Sequence, residues 1–271
     1  MGAHIYQIVY SAESKAACDP GFEQLDNLSN ERPDWREYWP IRSYLKTREL
    51  DEGSWYGFLS PKFRHKTGLS AETVFQFIRQ NEATRDVFLF SPFFDQLAFF
   101  PNVFYQGDAA HAGLLKLSAD FLRGSGLDGD LTAMISCSRN SVFSNYIVAR
   151  PAFWRTWLET AERLFRAAED QSHPLHSRLT AKAGYVGTDV QYKIFILERI
   201  ASYVLQRYAL ERIKAYPLQT CVGDSKVAER FFPELMIMDS MKFCYLECGN
   251  RLYLDLYQGL KQRVESLLAG G

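Results

Sequence analysis

The stretch Asp86-Val-Phe-Leu-Phe-Ser-Pro-Phe-Phe-Asp95 decides the fold class of this 271-residue chain. Its first half is a short, continuous apolar run, which is typical of a strand buried on both faces in a sheet that helices cover. A serine and a proline end the run, and Asp95 follows directly. We therefore predict an interior strand over 86–90 that delivers Ser91 and Asp95 to one edge of a sheet.

Strand and helix patterns alternate on both sides of this stretch. Runs rich in β-branched and aromatic residues predict further strands at 5–10, 56–59 and 142–149, and we expect the strand over 5–10 to be interior as well. Apolar residues at helical spacing predict helices at 71–80, 109–123, 190–212 and 252–268, and another that begins at Pro151. Ser70 stands where it can cap the first of these helices. The alternation predicts a three-layer α/β fold with a mixed, mostly parallel sheet flanked by helices.

The composition fits one large domain. Hydrophobic residues make up 47% of the chain, enough for a sizeable core, and no repeat or low-complexity tract divides it. Prolines at 20, 33 and 40 predict an irregular segment with short helical turns over 19–53. We predict a single domain over 1–271, in which 213–271 is a helical extension packed on the rest.

The charge balance excludes one class of function. Lys and Arg total 31 against 32 for Asp and Glu, so the surface lacks the general positive field of a nonspecific nucleic-acid binder. The five cysteines are scattered without a Cys-x-x-Cys pair, which predicts a reducing cytoplasm rather than a disulfide framework. We expect no classical secretion signal, because the amino terminus has no charged region followed by an apolar one. We expect no membrane span, because no apolar run approaches about 20 residues.

Three segments follow predicted strands, and their side chains are candidates for one ligand site. In open α/β sheets, ligands bind beyond the carboxyl ends of the strands. This rule selects residues 10–14, 60–66 and 91–95. The second segment contains Lys62, Arg64, His65 and Lys66, which can donate to a phosphate or diphosphate. The alternative is an ordinary solvated basic loop.

Other polar residues break apolar patterns further along the chain. Glu198 and Arg199 lie on a mostly apolar helix, where charged residues are uncommon unless they are paired or functional. A general base and a structural ion pair both remain possible for them. Asp108 and His111 offer an acid and a base, or a helix cap with an ordinary histidine. Asp128-Gly-Asp130 follows a helix, which favours turn formation over metal binding.

Four short segments carry a resemblance to a known family. They are Asp86-Val-Phe-Leu-Phe-Ser-Pro92, Asn102-Val-Phe-Tyr-Gln-Gly-Asp-Ala-Ala-His-Ala-Gly113, Asn145-Tyr-Ile-Val-Ala-Arg-Pro-Ala-Phe-Trp154 and Phe195-Ile-Leu-Glu-Arg199. Their order resembles that in bacterial glycosyltransferases of cell-surface polysaccharide assembly, such as capsule and O-antigen enzymes. The resemblance implies a nucleotide-binding α/β domain of the GT-A type, which moves a sugar from a nucleotide-sugar donor to a saccharide or other hydroxyl acceptor.

The resemblance also implies a role for each candidate residue. Glu198 and Asp95 are the expected catalytic residues, with Glu198 as the base. The expected nucleotide-sugar contacts are Tyr10, Ser11, Ser14, Lys62, Lys66, Ser91 and Arg199. The expected acceptor contacts are Gln106, Asp108, His111 and Asp189.

One departure from the family pattern concerns the metal. Ser91-Pro-Phe stands where such enzymes usually carry Asp-x-Asp. We therefore expect no metal ligands and a metal-independent reaction, in which Lys62, Lys66 and Arg199 stabilise the leaving diphosphate. Use of Mn²⁺ or Mg²⁺ is the alternative.

The implied partners are a nucleotide-sugar donor and a saccharide acceptor, either free or lipid-linked, with no nucleic acid. The implied location is the cytoplasm, with peripheral contact at the inner face of the membrane where the acceptor is lipid-linked. The alternative class is a noncatalytic carbohydrate- or protein-binding module, in which aromatic residues form the interface and Glu198 and Arg199 are only structural.

Overall fold

The computed structural model describes residues 2–184, 189–217 and 225–270. Its sheet consists of β1 (Ala3–Val9), β2 (Glu23–Asp26), β3 (Trp55–Leu59), β4 (Val87–Leu89), β5 (Ile147–Ala149) and β6 (Ile213–Ala215). The spatial order is β2-β1-β3-β5-β4-β6. Strand β5 is antiparallel to both of its neighbours, and the other three pairs are parallel. The prediction of a mixed sheet in an α/β fold is therefore confirmed, and all strands but β5 run in one direction.

Helices occupy most of the remaining described chain. They are α1 (Ala12–Ala16), α2 (Tyr38–Thr47), α3 (Phe63–Thr67), α4 (Ala71–Asn81), α5 (Phe94–Phe99), α6 (Val103–Ala110), α7 (Leu114–Gly124), α8 (Pro151–Glu169), α9 (His176–Leu179), α10 (Tyr192–Leu205), α11 (Lys226–Cys248) and α12 (Leu252–Ala269). Ser70 caps α4 by accepting from the Thr73 amide, and Pro151 is the first residue of α8, as predicted.

Helices cover both faces of the sheet. On one face, the Phe58 ring of β3 contacts Tyr44 of α2 and Trp154 of α8, at centroid distances of 5.2 and 4.9 Å. On the other face, the Phe88 ring of β4 contacts Phe77 of α4 at 6.0 Å. Strands β3, β4 and β5 are buried along their whole length, because layers lie on both sides. The architecture therefore has three layers.

The two strands predicted to be interior are interior. Strand β1 pairs with β2 and β3, and β4 pairs with β5 and β6. Close packing at the sheet centre requires Gly57 of β3, because a Cβ atom there would lie 2.7 Å from Cγ2 of Val148. The apolar runs at 5–10 and 86–90 thus predicted both the location and the environment of these strands.

The strand predicted over 142–149 is shorter than expected. Ser144 and Asn145 have positive φ angles of 61° and 54°, so the chain turns twice before β5 begins at Ile147. The helix predicted over 190–212 ends at Leu205, because residues 213–215 pair with β4 as the edge strand β6. Strand pairing here overrides the apolar spacing, and 213–215 belong to the sheet rather than to a helical extension.

Residues 19–53 are more regular than predicted. Strand β2 was missed because it is a mostly exposed edge strand, without an apolar run. Helix α2 accommodates Pro40 in its first turn, where the missing proline N–H costs no intrahelical hydrogen bond. The helix predicted over 109–123 is divided at Gly113, which has a φ of 90°. The predicted basic loop is mostly the short helix α3, which ends at Gly68 with a φ of 72°.

The last two helices form a pair that packs on α5. Buried residues Phe94 of α5, Leu235 of α11 and Tyr257 of α12 belong to one small apolar cluster, separate from the main core. The buried Lys242 of α11 donates to the carbonyl of Phe100 at 2.7 Å and to that of Leu97, and so joins α11 to the end of α5.

Candidate functional site

A cavity of about 330 Å³ lies beyond the carboxyl ends of β1, β2 and β3. Tyr10 follows β1, Asn27 follows β2 and Ser60 follows β3, so three neighbouring strands deliver residues to it. The cavity is lined by Ile8, Tyr10, Asn27, Asn30, Pro33, Arg36, Glu37, Ser60, Pro61, Lys62, Lys66 and Glu198. This is the position at which open α/β sheets bind ligands.

A buried glutamine of β1 holds the turn after β3 in place. Gln7 of β1 is 1% exposed, and its side-chain amide donates to the carbonyls of Ser60 and Pro61 at 3.3 and 3.2 Å. Its carbonyl oxygen accepts from the Asp19 amide at 2.9 Å. Because α3 begins directly after this turn, Gln7 fixes where Lys62 and Lys66 enter the cavity.

Lys66 lines the cavity, and its ammonium group is surrounded by aromatic rings and a hydroxyl group. Its Nζ donates to Oγ of Ser144 at 2.9 Å and lies 5.8 Å from the ring centroids of both Phe93 and Tyr146. Burial lowers the pKa of Lys66, and the negative charge of Glu198 acts in the opposite direction. No salt bridge within 4.0 Å joins Lys66 to a carboxylate of the described residues, so its charge is available to a ligand.

Glu198 of α10 also lines the cavity. Its carboxylate makes no hydrogen bond and no salt bridge with the part of the chain that the structure describes. Burial raises the pKa of Glu198, and the nearby charge of Glu37 raises it further, whereas Arg199, Lys66 and Arg36 lower it. A carboxylate with a raised pKa and no partner is a stronger base than an exposed glutamate.

Arg199, for which a contact with the diphosphate was predicted, is not among the residues that line the cavity. Its guanidinium donates to the carbonyls of Val103 and Phe195 and to Oε1 of Gln106, each at 2.7 Å. Consecutive side chains on a helix point about 100° apart, so Glu198 and Arg199 contact different parts of the protein. The guanidinium of Arg199 joins α10 to α6. Glu198 and Arg199 form no salt bridge with each other.

The predicted acceptor residues have structural contacts outside the cavity. Gln106 accepts from Arg199, and Asp108 accepts from the amides of Gly113 and Leu115 at 3.0 Å. The His111 ring stacks on Phe195 with centroids 3.7 Å apart. Asp189 is exposed and pairs with Lys182, and residues 185–188 before it lie outside the described chain. None of these four residues belongs to the set that lines the cavity in the described part of the chain.

The other predicted donor and catalytic residues also lie outside the lining set. Ser11 and Ser14 form a reciprocal cap at the start of α1. Ser91 Oγ donates to the Pro92 carbonyl and accepts from the Phe143 amide. Asp95 is buried in the first turn of α5. The basic segment therefore borders the cavity with Tyr10, but not with Ser11 or Asp95 as predicted.

Backbone strain concentrates around the cavity. In the described chain, the non-glycine residues with positive φ are Asn30, Arg36, Phe93, Ser144 and Asn145. Asn30 and Arg36 line the cavity, and Phe93 and Ser144 contact Lys66. Strained residues persist where the surrounding structure fixes them, and they cluster at ligand sites. This observation points to the same cavity without using the charges.

Four polar lining residues were not predicted from the sequence. Asn27, Asn30, Arg36 and Glu37 come from the segment 19–53 that the prolines made appear irregular. The available signal was Asn27 after β2, but β2 itself carries no apolar run. Glu37 adds a second carboxylate to the cavity that makes no hydrogen bond or salt bridge with the described residues.

A larger surface depression of about 720 Å³ lies along α8, and three of its charged side chains are paired within the protein. Arg163 pairs with Glu159 at 2.7 Å, and Glu169 pairs with Arg32 at 2.7 Å. Paired surface charges offer little to a ligand. The smaller cavity at the strand ends, with its unpaired cations and carboxylates, is therefore the candidate site.

Ser91 and Asp95 stand at the positions where the resemblance implies metal ligands. Ser91 uses its hydroxyl within the protein, and Asp95 does not line the cavity, so these two residues do not fit a bound Mn²⁺ or Mg²⁺ there. In residues 2–184, 189–217 and 225–270, no group of three or more His, Cys, Asp or Glu side chains is arranged to hold a metal ion. Asp130 accepts from Thr132, which is the predicted turn role.

No protein-family model matches the chain, and no curated protein or solved structure matches it at a significant level. Among the described helices, none is both long enough and apolar enough to cross a bilayer.

The raised pKa of Glu198 predicts a pH-dependent stability difference. The unfolded glutamate ionises near its ordinary pKa of about 4.3, whereas the folded one keeps its proton to higher pH. Stability contributed by Glu198 is therefore lost as pH rises from the unfolded pKa through the folded pKa. We expect Glu198→Gln to melt above wild type at pH 7, with the difference shrinking toward pH 4. Calorimetry between pH 4 and 8 measures this, and a pH-independent difference would contradict the raised pKa.

Proposed function

We propose that this chain is a glycosyltransferase of the GT-A type, which uses the cavity at the strand ends to transfer a sugar from a nucleotide-sugar donor to a hydroxyl acceptor. The carrying observation is that the unpartnered Glu198 carboxylate shares the cavity with Lys62 and Lys66. Transfer with a diphosphate leaving group needs both a base for the acceptor and cations for the leaving group. The resemblance of the four sequence segments supports the same class.

Glu198 acts on the acceptor in this proposal. As the acceptor oxygen attacks the anomeric carbon, its proton passes to the Glu198 carboxylate. The bond between the anomeric carbon and the diphosphate oxygen breaks, and its electron pair stays on the nucleoside diphosphate. A base on the acceptor side implies that the configuration at the anomeric carbon inverts.

Lys62 and Lys66 act on the leaving group. Their ammonium groups stabilise the negative charge that develops on the diphosphate, which is the work that a divalent cation does in many phosphate-binding sites. Both belong to the segment 60–66, whose position Gln7 fixes. Preorganised cations stabilise charge without moving at the moment of reaction. This part of the proposal predicts activity in the absence of divalent metal.

Acceptor class and location rest on the resemblance alone. It supports a saccharide acceptor in surface polysaccharide assembly, free or lipid-linked, and a reaction in the cytoplasm or at the inner face of the membrane. A panel of nucleotides identifies the donor.

A thermal-shift screen tests the proposal. Purified protein is melted with UDP, GDP, ADP or CDP, each with and without Mn²⁺. We expect at least one nucleotide to raise the melting temperature without Mn²⁺, because a ligand at 100 times its Kd stabilises the native state by about 2.7 kcal/mol. No shift with any nucleotide would contradict the proposal, and a shift only with Mn²⁺ would contradict its metal-independent form.

Variants assign the shift to the cavity. Lys62→Met removes an exposed cation from the lining, and Lys116→Met is the matched control because Lys116 is exposed on α7, outside the lining set. Loss of a hydrogen bond to a charged group costs about 1.5–3 kcal/mol, so Lys62→Met should weaken nucleotide binding at least about 10-fold. Equal affinities of the two variants would place the nucleotide elsewhere.

A further inference from the structure

Arg36 has a backbone conformation that arginine rarely adopts. It follows the short 3₁₀ turn Pro33–Trp35, with a φ of 47° and a ψ of −134°. Glycine adopts positive φ without steric penalty, whereas a side chain with a Cβ does not. The backbone of Arg36 is therefore unfavourable for an arginine, and the surrounding structure must hold the residue in this conformation.

The turn before Arg36 is fixed by buried contacts with α8 and α10. Trp35 is fully buried, and its indole N–H donates to Oε1 of Glu169 at 2.9 Å. The Asp34 carboxylate accepts from Nζ of Lys193 at 2.7 Å. Lys193 is 2% exposed, and its Nζ lies 4.2 Å from the centroid of the Trp35 rings. The chain therefore enters residue 36 in one orientation.

The segment after Arg36 is fixed as well. Tyr38 is buried in the first turn of α2, and its hydroxyl donates to Oε1 of Glu162 at 2.7 Å. Arg42 of the same helix binds the same carboxylate. Residue 36 thus joins two anchored elements, and the strain cannot relax without breaking one of them.

The side chain of Arg36 does not stabilise the described part of the fold through a polar contact. It is exposed, it lines the cavity, and its guanidinium makes no hydrogen bond or salt bridge with residues 2–184, 189–217 or 225–270. The other arginines near this turn differ, since Arg32 binds Asp34 and Glu169, and Arg42 binds Glu162. The fold thus enforces a strained backbone to bring one unpaired guanidinium into the cavity.

We propose that Arg36 is a further binding residue of this site and holds the diphosphate group of the donor. This inference rests on the proposed function. A guanidinium presents two parallel N–H groups that match two phosphate oxygens, which an ammonium cannot do. Arg36 thereby complements Lys62 and Lys66, which act as point charges. The anchors Lys193 and Trp35 are positioning residues, because they touch the turn and do not line the cavity.

Two substitutions separate the strain from the side chain. Arg36→Gly removes both, so the unliganded protein should melt at a higher temperature than wild type while nucleotide affinity falls. Arg36→Met removes the charge and keeps the strain, so affinity should fall without a rise in melting temperature. We expect both variants to weaken the Kd at least about 10-fold for whichever of UDP, GDP, ADP and CDP binds wild type most tightly. Arg36→Lys should lie between wild type and Arg36→Met.

The readouts distinguish failure of this inference from failure of the proposed function. Titration calorimetry measures the Kd values. The melting temperatures of the unliganded proteins show whether the backbone strain at residue 36 destabilises the fold. If wild type binds a nucleoside diphosphate and Arg36→Met binds it equally well, the role of Arg36 is wrong and the proposed function stands. If wild type binds none of the four, both are overturned. If Arg36→Gly does not melt above Arg36→Met, the strain is absent and the argument for a functional Arg36 is overturned.

Discussion

Replacing Glu198 by glutamine is expected to reduce sugar transfer by about 10²–10⁴-fold, because general-base assistance contributes a factor of this size. Glutamine keeps the shape of the side chain and cannot take the acceptor proton. Donor affinity should stay within a few-fold of wild type, since the proposed diphosphate contacts come from other residues. The measurement is the initial rate of nucleoside diphosphate release with a saturating nucleotide-sugar and an acceptor.

Glu72→Gln is the matched control for this substitution. Glu72 is exposed in the first turn of α4, outside the cavity, so the variant should transfer sugar at the wild-type rate. Near-normal transfer by Glu198→Gln would show that Glu198 is not the base. So would retention of the anomeric configuration in the product, read by NMR, because the proposed mechanism places the base on the acceptor side and inverts that centre.

Replacing Arg199 by alanine is expected to lower the free energy of unfolding by about 3 kcal/mol. The guanidinium is buried and donates three hydrogen bonds, two that join α10 to α6 and one to the Phe195 carbonyl within α10. It also packs tightly against Gly107, where a Cβ atom would lie 2.5 Å from Nε of Arg199. Alanine leaves a void and removes all three bonds. Urea denaturation followed by circular dichroism measures the change.

Arg207→Ala is the matched control for Arg199→Ala. Arg207 is exposed just after α10, and its bond to the Tyr203 hydroxyl is 3.1 Å long, so the change should stay within about 0.5 kcal/mol. Folded Arg199→Ala should bind nucleotide as tightly as wild type. A variant of normal stability that has lost nucleotide affinity would instead make Arg199 a ligand residue.

The sequence predicted those parts of the fold whose signals are local. The apolar run at 86–90 predicted β4 and its burial on both faces, and Ser70 predicted the start of α4. The end of α10 depends instead on the pairing of residues 213–215 with β4, which lies more than 120 residues earlier in the chain. Apolar spacing near residue 205 carries no information about that partner.

The candidate site was partly predictable for the same reason. Tyr10, Lys62 and Lys66 follow strands, and Glu198 breaks an apolar helix, so strand ends and anomalous polarity selected four lining residues. Arg199 breaks the same helix and has a structural role, because its partner Val103 lies 96 residues earlier.

Arg36 was missed for a different reason. Its signal is a backbone angle, which depends on the anchoring of Trp35 and Asp34 by residues more than 100 positions later. Polarity in the sequence therefore identified candidates here, and long-range hydrogen bonds decided which of them line the cavity.

The central claim is that the cavity holds the diphosphate of a nucleotide, and ³¹P NMR tests it most directly because it observes the phosphates themselves. The nucleoside diphosphate that gives the largest thermal shift is titrated with wild type and with the double variant Lys62→Met/Lys66→Met, in metal-free buffer. We expect wild type to shift and broaden both phosphate resonances, and the double variant, which keeps Arg36, to shift them much less at the same concentrations. Unperturbed resonances with wild type, or equal perturbation by the folded double variant, would contradict the account.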